Sequence, residues 1–459
     1  MSTLIRGGRI VTADSDFVGD VLIDGETIAA VGPQLEAPPE TTVIDAAGKL
    51  IFPGFIDPHV HIYLPFMGTY AKDTYESASR AALVGGTTTL IEMCCPARGD
   101  DPIEAFELWL GKGERSACDY TFHMGVSRFD EQTAAALREI ANRGVASLKV
   151  FLAYKGAFGI DDGELYDTLS LAKELGLIVT AHCENETLVA QLQQQLLAAG
   201  KTGPEWHEPS RPRRVEAEGV HHLMTFAEMT GAHVYCVHTS CEAALEAVQA
   251  AHLRGVNAWV ETVIPYLVVD KSYAELPDFQ GAKYVMSPPL RDRSEQPVLW
   301  NALRSRLIST VATDHAPFDF AAQKEMGRDD FTKIPNGIPS VENRVTLLYT
   351  HGVATGRIDL ATFVDAGSTQ AAKLFGLYPR KGTIAPGSDA DVVIWDPDYR
   401  GQITAAEQEM DVDYSAFEGW EIQGRPETVL VRGAVQVAGG KFVGELGHGQ
   451  FLRREPTHF

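Results

Sequence analysis

Eight short apolar runs, separated mostly by helix-patterned stretches over roughly 320 residues, limit what this chain can fold into more than any other feature. The runs are Leu50–Asp57, Thr87–Met93, Tyr120–Val126, Ser147–Leu152, Leu177–His182, His233–His238, Asn257–Glu261 and Ser309–Asp314. Helical patterns lie between them, as at Asp162–Leu175, Val215–Thr230, Cys241–Leu253 and Glu295–Leu307. Asp161-Asp162-Gly163-Glu164 reads as a helix start, and Gly176 and Gly255 read as helix stops. The alternation predicts an α/β fold, a (β/α)8 TIM-like barrel with loop insertions. An open, doubly wound sheet is the alternative. The barrel is preferred because the chemistry-bearing residues are spread over many strand ends rather than gathered at one switch point.

The flanks differ in texture. Residues 1–50 carry short strand patterns punctuated by Gly and Asp, and strand patterns return after residue 376 at Val392–Trp395, Glu427–Val431, Gly433–Ala438 and Lys441–Val443. Neither flank is long enough to stand alone, so residues 1–50 and 377–459 are expected to meet in one small β-sandwich domain, leaving 51–376 as the barrel. The acidic stretch Asp411–Gly424 reads as an ordered surface connection. The tail, Phe451–Phe459, is expected to fray or to pack on a neighbouring subunit.

Charge and cysteine usage narrow the partners. Lys+Arg number 39 against 62 Asp+Glu, a formal net charge of −23. Nucleic acid and anionic membranes both require a basic footprint, so neither is an expected partner. No apolar stretch reaches bilayer-spanning length, and no secretory signal is read at the N-terminus. Six cysteines, none in CxxC spacing, fit reduced and mostly buried thiols in the cytoplasm.

The ends of five of the eight runs carry metal-ligand chemistry. The first is followed by His59 and His61, two apart and so on one side of an extended segment. The fifth ends in His182, the sixth in His238 and the eighth in Asp314. In a barrel these positions converge on one mouth. An isolated His-x-His is as often a plain surface or core pair; the shared register of five strand ends tips the reading toward a metal site. The fourth run holds Lys149 inside an apolar strand. A buried ammonium costs several kcal/mol unless paired or neutralised. Desolvation leaves a neutral, nucleophilic amine that can take up CO2 and become a carbamate, an anionic two-oxygen ligand. The competing reading is a lysine ion-paired to a buried carboxylate. Four imidazoles, one carbamate and one carboxylate suit two Zn2+ ions, with His59, His61, Lys149 and Asp314 around one and Lys149, His182 and His238 around the other. Such a pair lowers the pKa of shared water toward ~7, giving a hydroxide nucleophile whose proton Asp314 would accept and pass on to the leaving nitrogen.

These residues sit in longer matching stretches. They include Gly54-Phe-Ile-Asp-Pro-His-Val-His, Ala82-Leu-Val-Gly-Gly-Thr-Thr-Thr, Ser147-Leu-Lys-Val-Phe-Leu-Ala-Tyr-Lys, Ala181-His-Cys-Glu-Asn, Val237-His-Thr-Ser-Cys, Met286-Ser-Pro-Pro-Leu-Arg, Ala312-Thr-Asp-His-Ala-Pro-Phe, Pro335-Asn-Gly-Ile-Pro and Lys381-Gly-Thr-Ile-Ala-Pro-Gly-Ser-Asp-Ala-Asp. In them the chain resembles the D-hydantoinase/dihydropyrimidinase family of cyclic amidohydrolases, across nearly the whole barrel. The resemblance implies ring-opening hydrolysis of 5-substituted hydantoins or dihydropyrimidines to N-carbamoyl amino acids, an N6-carboxylated Lys149, and a homotetramer. It implies that Tyr154 hydrogen-bonds the developing oxyanion, and that backbone groups of Ser287 and Asn336 bind the ureide edge of the ring. Taken by themselves, Ser287 before two prolines and Asn336 before Gly337 are also ordinary turn residues. Leu64, Phe66, Phe151 and Phe158 are the candidate apolar wall for the exocyclic substituent; such aromatics are more often plain core.

Some positions depart from common family wording. Glu261-Thr-Val-Ile-Pro-Tyr and Asn185-Glu186 stand where other sequences are used, which leaves the preferred ring open. Tyr63 stands where a dihydroorotase has an arginine for its substrate carboxylate, which argues against that activity. An allantoinase-like ureide hydrolase is a second reading. A non-catalytic scaffold of the same fold is a third, disfavoured because every ligand residue is present.

Overall fold

The computed structural model describes residues 2–457, so the last two residues of the tail, like Met1, lie outside it. The apolar runs form eight parallel strands: β1 (Phe55–Val60), β2 (Thr87–Cys94), β3 (Asp119–Gly125), β4 (Ser147–Phe151), β5 (Ile178–His182), β6 (His233–Cys236), β7 (Ala258–Val263) and β8 (Thr310–Ala312). They pair in chain order from β1 to β8. The ring closes beyond β8, where the Asp314 N–H donates to the His59 carbonyl (3.0 Å) and the His61 N–H to the His315 carbonyl (2.8 Å). Nearly every strand residue is buried, as expected of strands covered on both faces. The barrel expectation holds and the open sheet is set aside.

Local chemistry explains the crossovers. Asp162–Leu175 starts at a capping box: the Asp161 carboxylate accepts from the Glu164 N–H (2.9 Å) while the Glu164 carboxylate accepts from the Asp161 N–H (2.9 Å). The helix stops at Gly176, whose φ of 70° suits a residue without a Cβ. Other helix ends fall within a few residues of the sequence pattern. Cys241–Leu253 is realised as Glu242–His252 and Glu295–Leu307 as Glu295–Arg304.

The two flanks share a nine-stranded sheet, as the fold expectation requires. Its seam is Leu50–Pro53 pairing antiparallel with Val392–Gln402. The first apolar run is therefore two strands, one in each sheet, broken at Gly54. A Cβ at Gly54 would strike Thr88 and Asp391, so the chain can pass between the sheets only with glycine there. Below the barrel, Lys381 is buried against Asp119 (2.6 Å), Asp391 (2.8 Å) and Asp389 (3.0 Å), and Arg432 also grips Asp119. Asp119 opens β3, so this cluster rivets the terminal sheet to the barrel floor.

Two flank expectations are corrected. The tail does not fray over its described residues. Its Leu452 N–H donates to the Tyr120 carbonyl (2.7 Å), and Arg454 is buried beneath the barrel against Thr121 and Ser147 (both 3.0 Å). The stretch Asp411–Gly424 is more than a surface connection: Val412, Tyr414, Ala416 and Phe417 are buried, and the Tyr284 hydroxyl donates to the Ala416 carbonyl (3.1 Å). All six cysteines are buried and unpaired. No helix among the described residues is long and apolar enough to cross a membrane.

Candidate active site at the barrel mouth

All thirteen residues singled out in the sequence line one cleft of about 480 Å³ at the C-terminal ends of the strands. His59, His61, Lys149, His182, His238 and Asp314 form its base. Leu64, Phe66, Phe151 and Phe158 form one wall, with Tyr154, Ser287 and Asn336 at the rim. The aromatic wall is continuous: Phe66 stacks on Phe158 (6.3 Å between ring centroids), and Tyr154 meets Phe66 edge-on (5.6 Å).

The hydrogen bonds fix which histidine atoms face the cleft. His59 Nδ1 lies 2.7 Å from the Glu261 carboxylate, so it is the donor and Nε2 keeps its lone pair. That Nε2 points at Asp314 Oδ1 (3.1 Å), and His61 Nε2 points at the same oxygen (3.2 Å). One possible ligand atom from each of the three residues lies within 4.8 Å of the others. His59 Nε2, with its proton on the far nitrogen, has nothing to donate to that carboxylate, whereas a cation between them would satisfy both. His182 repeats the logic. Its Nε2 donates to Glu184 (2.9 Å), leaving the Nδ1 lone pair aimed at His238 Nε2 (2.9 Å). The buried environment suppresses imidazolium formation. Burial, then the Lys149 charge, holds His59 well below the usual histidine range, and burial, then His182, does the same for His238.

Lys149 is fully buried, and its Nζ has no hydrogen-bond partner among the described residues. The expected competitor, a lysine ion-paired to a buried carboxylate, is absent there. Burial lowers its pKa against the opposing pull of Asp314. Asp314 itself is pushed up by burial but pulled further down by His59 and His61, so it stays ionised. Burial raises the Tyr154 phenol against the pull of Arg211, keeping it protonated. Among the described residues, His59, His61 and Asp314 form a group that could hold a metal ion, and His182 and His238 stand together in the same cleft.

Several supporting residues escaped the sequence reading. Glu261, fully buried on β7, accepts from His59, from the His238 N–H (2.9 Å) and from Tyr235 (2.9 Å), and burial lifts its pKa to about 8. Its placement on the strand next to His238 was a usable signal. Glu184 links His182 to the buried Arg211. Asp57 accepts from the Thr313 hydroxyl (2.7 Å) and so braces the Asp314 turn. Glu92 accepts from the Ile62 N–H (3.0 Å) and Trp109 (3.1 Å), which fixes the segment after His61. Glu184 and Asp57 lie within the stretches around His182 and His59, whereas Glu92 and Glu261 are 30 and 23 residues from the backbone N–H groups they hold, with no motif joining them.

Comparison with known proteins decides the family. The Amidohydrolase family pattern matches residues 50–436. A D-hydantoinase of Geobacillus stearothermophilus is 46% identical over 99% of this chain and 97% of its own. The chain belongs to the D-hydantoinase/dihydropyrimidinase family. A solved D-hydantoinase (dihydropyrimidinase) from Thermus sp. superposes with a TM-score of 0.98 at 61% identity, covering all of both chains. A dihydropyrimidinase of Rattus norvegicus is 39% identical over 99% of this chain and 89% of its own. The protein is accordingly a hydrolase of cyclic amides.

Proposed function

We propose that the enzyme opens 5-substituted hydantoins and dihydropyrimidines to N-carbamoyl amino acids, using two zinc ions and an N6-carboxylated Lys149. The observation that carries this reading is the fully buried Lys149 amine, without a hydrogen-bond partner among the described residues, in one cleft with four histidines and the Asp314 carboxylate. A neutral amine there bonds the carbon of CO2 and gives up a proton, turning an orphaned base into a two-oxygen anion. His59, His61, Asp314 and carboxylated Lys149 would hold one ion, and Lys149, His182 and His238 the other. When bound, the ions supply carbonyl polarisation and a water acidic enough to ionise near neutral pH.

The protein's own groups do the rest. Asp314, ionised and facing the cleft, takes the proton released in the attack and returns it to the departing ring nitrogen. Tyr154 donates its phenolic hydrogen to the oxygen on which charge develops. The backbones of Ser287 and Asn336 hold the ureide edge; the Asn336 side chain donates to Ser287 Oγ (2.9 Å), tying the two loops together. Leu64, Phe66, Phe151 and Phe158 take the apolar substituent away from water. Unpaired buried thiols fit a cytoplasmic setting, and the family resemblance supports a homotetramer acting on small molecules alone. The test is a rate comparison on dihydrouracil and on each hand of a 5-substituted hydantoin, with zinc counted in the same preparation. Turnover of these rings with about two zinc ions per chain is expected on the two-metal reading. Zinc-loaded protein inert toward all three would overturn it.

A further inference from the structure

Lys324 is, with Lys149 and Lys381, one of three buried lysines among the described residues, and nothing in the catalytic reading uses it. Among the described residues it has no carboxylate within ion-pair distance. Its Nζ instead donates to three backbone carbonyls: Pro335 (2.6 Å), Gly337 (2.7 Å) and Val285 (3.1 Å). An ammonium carries three N–H donors and no acceptor, so the number of donors equals the number of acceptors. The three carbonyls belong to two segments. Val285 lies two residues before Ser287, while Pro335 and Gly337 flank Asn336. The Gly337 N–H also donates to the Val285 carbonyl (2.9 Å), so Lys324 closes a bridge between the segments from beneath.

The lysine is itself anchored. Its N–H donates to the Asp319 carbonyl (3.0 Å), Lys72 pairs with the Asp319 carboxylate (2.8 Å), and the Asp413 carboxylate accepts from the backbone of Phe320 (2.6 Å) and Ala321 (3.0 Å). A small apolar cluster of Ala282, Val285, Phe331 and Ile334 packs around the same segments. Burial alone pulls the amine well below the ordinary lysine range. Three carbonyl oxygens aimed at it oppose that pull, because hydrogen bonding to the charged form favours it. A glycine or an apolar side chain would leave the Pro335 and Gly337 carbonyls buried without this donor.

We propose that Lys324 is the positioning residue of the ring-binding cradle: its ammonium sets the spacing between the Ser287 and Asn336 backbones that grip the ureide edge. The inference rests on the proposed role of those two backbones. The role is indirect, since Lys324 does not itself line the cleft.

The experiment compares wild type with Lys324→Met, which keeps length but removes every donor, and Lys324→Gln, which retains two. Each zinc-loaded protein is assayed on a 5-substituted hydantoin, its metal is counted, and hydrogen exchange is followed at residues 285–287 and 335–337. For Lys324→Met, KM should rise about tenfold or more while kcat changes less, a loss of uniform binding, with zinc retained. Exchange should quicken in both segments, and Lys324→Gln should lie between the two proteins. Unchanged exchange and unchanged KM in Lys324→Met would overturn the clamp. Quickened exchange with unchanged KM would uphold the clamp and overturn the ring-binding role of the two backbones instead. Should Lys324→Met not fold, Lys324→Gln decides by the same two readings.

Discussion

The floor and the mouth of the barrel treat the same residue in opposite ways. On the floor, Lys381 is buried among Asp119, Asp389 and Asp391, and its pKa rises above the ordinary lysine range because those charges outweigh burial. At the mouth, Lys149 is just as buried, has no hydrogen-bond partner among the described residues, and its pKa falls. A folded chain rarely keeps a buried cation unpaired. The satisfied lysine is a rivet between sheets, while the unsatisfied one waits for chemistry. The histidines follow the same rule. His123, inside the barrel, has both ring nitrogens engaged, by Ser147 (2.6 Å) and the Pro58 carbonyl (3.0 Å), whereas His59 Nε2 and His238 Nδ1 lack a hydrogen-bond partner among the described residues.

The contrast can be broken most directly at its two lysines. Lys149→Ala should lose most of the bound metal and about a thousandfold or more in turnover, as seen by metal counting and steady-state rates. Full zinc and full activity in that variant would end the mouth half of the comparison. Lys381→Met should do the reverse. Leaving Asp391 buried without its cation, and Asp119 with Arg432 alone, should cost about 3–5 kcal/mol in urea unfolding, with KM and metal content of the folded protein unchanged. A loss of metal there would mean that the floor is not merely structural.

Two smaller effects sharpen the account within the mouth. Tyr154→Phe should lower kcat by about a hundredfold while retaining metal, because it removes one donor aimed at developing charge. Equal kcat in the two proteins would discard that role. Glu261→Gln should weaken metal binding by about 10–100-fold, measured by chelator competition, because His59 loses the carboxylate that fixes its tautomer. An unshifted metal affinity would show that Tyr235 and the backbone suffice to orient the ring.

What was legible in the sequence follows the same division. Ligand-type residues at strand ends stand out because an apolar run has few reasons to finish in His, His or Asp, and the barrel's parallel register then brings them together. The apolar wall was legible from position, since the segments after His61 and around Tyr154 both rise from strand ends. The satisfied charges were not legible. Arg454 reads as part of a loose tail until its guanidinium is seen beneath β3 and β4. Asp119 and Lys381 are separated by most of the chain, and nothing local marks either as half of a buried cluster. The division of the first run at Gly54 was hidden for a different reason. Both halves are apolar, and only the neighbouring Thr88 and Asp391 demand the missing side chain. The Asp411–Gly424 stretch misled through its composition, because its acidic residues alternate with buried apolar ones and the Asp413 carboxylate binds the backbone of Phe320 and Ala321.

The central claim is that the Lys149 amine is completed by carbon dioxide and, through it, by metal. A crystal structure of the enzyme prepared with bicarbonate and zinc tests this most directly. The account predicts electron density continuing past Lys149 Nζ into a planar carboxyl group that touches two ions, one beside His59, His61 and Asp314 and the other beside His182 and His238. A bare amine among empty imidazoles under those conditions would contradict it.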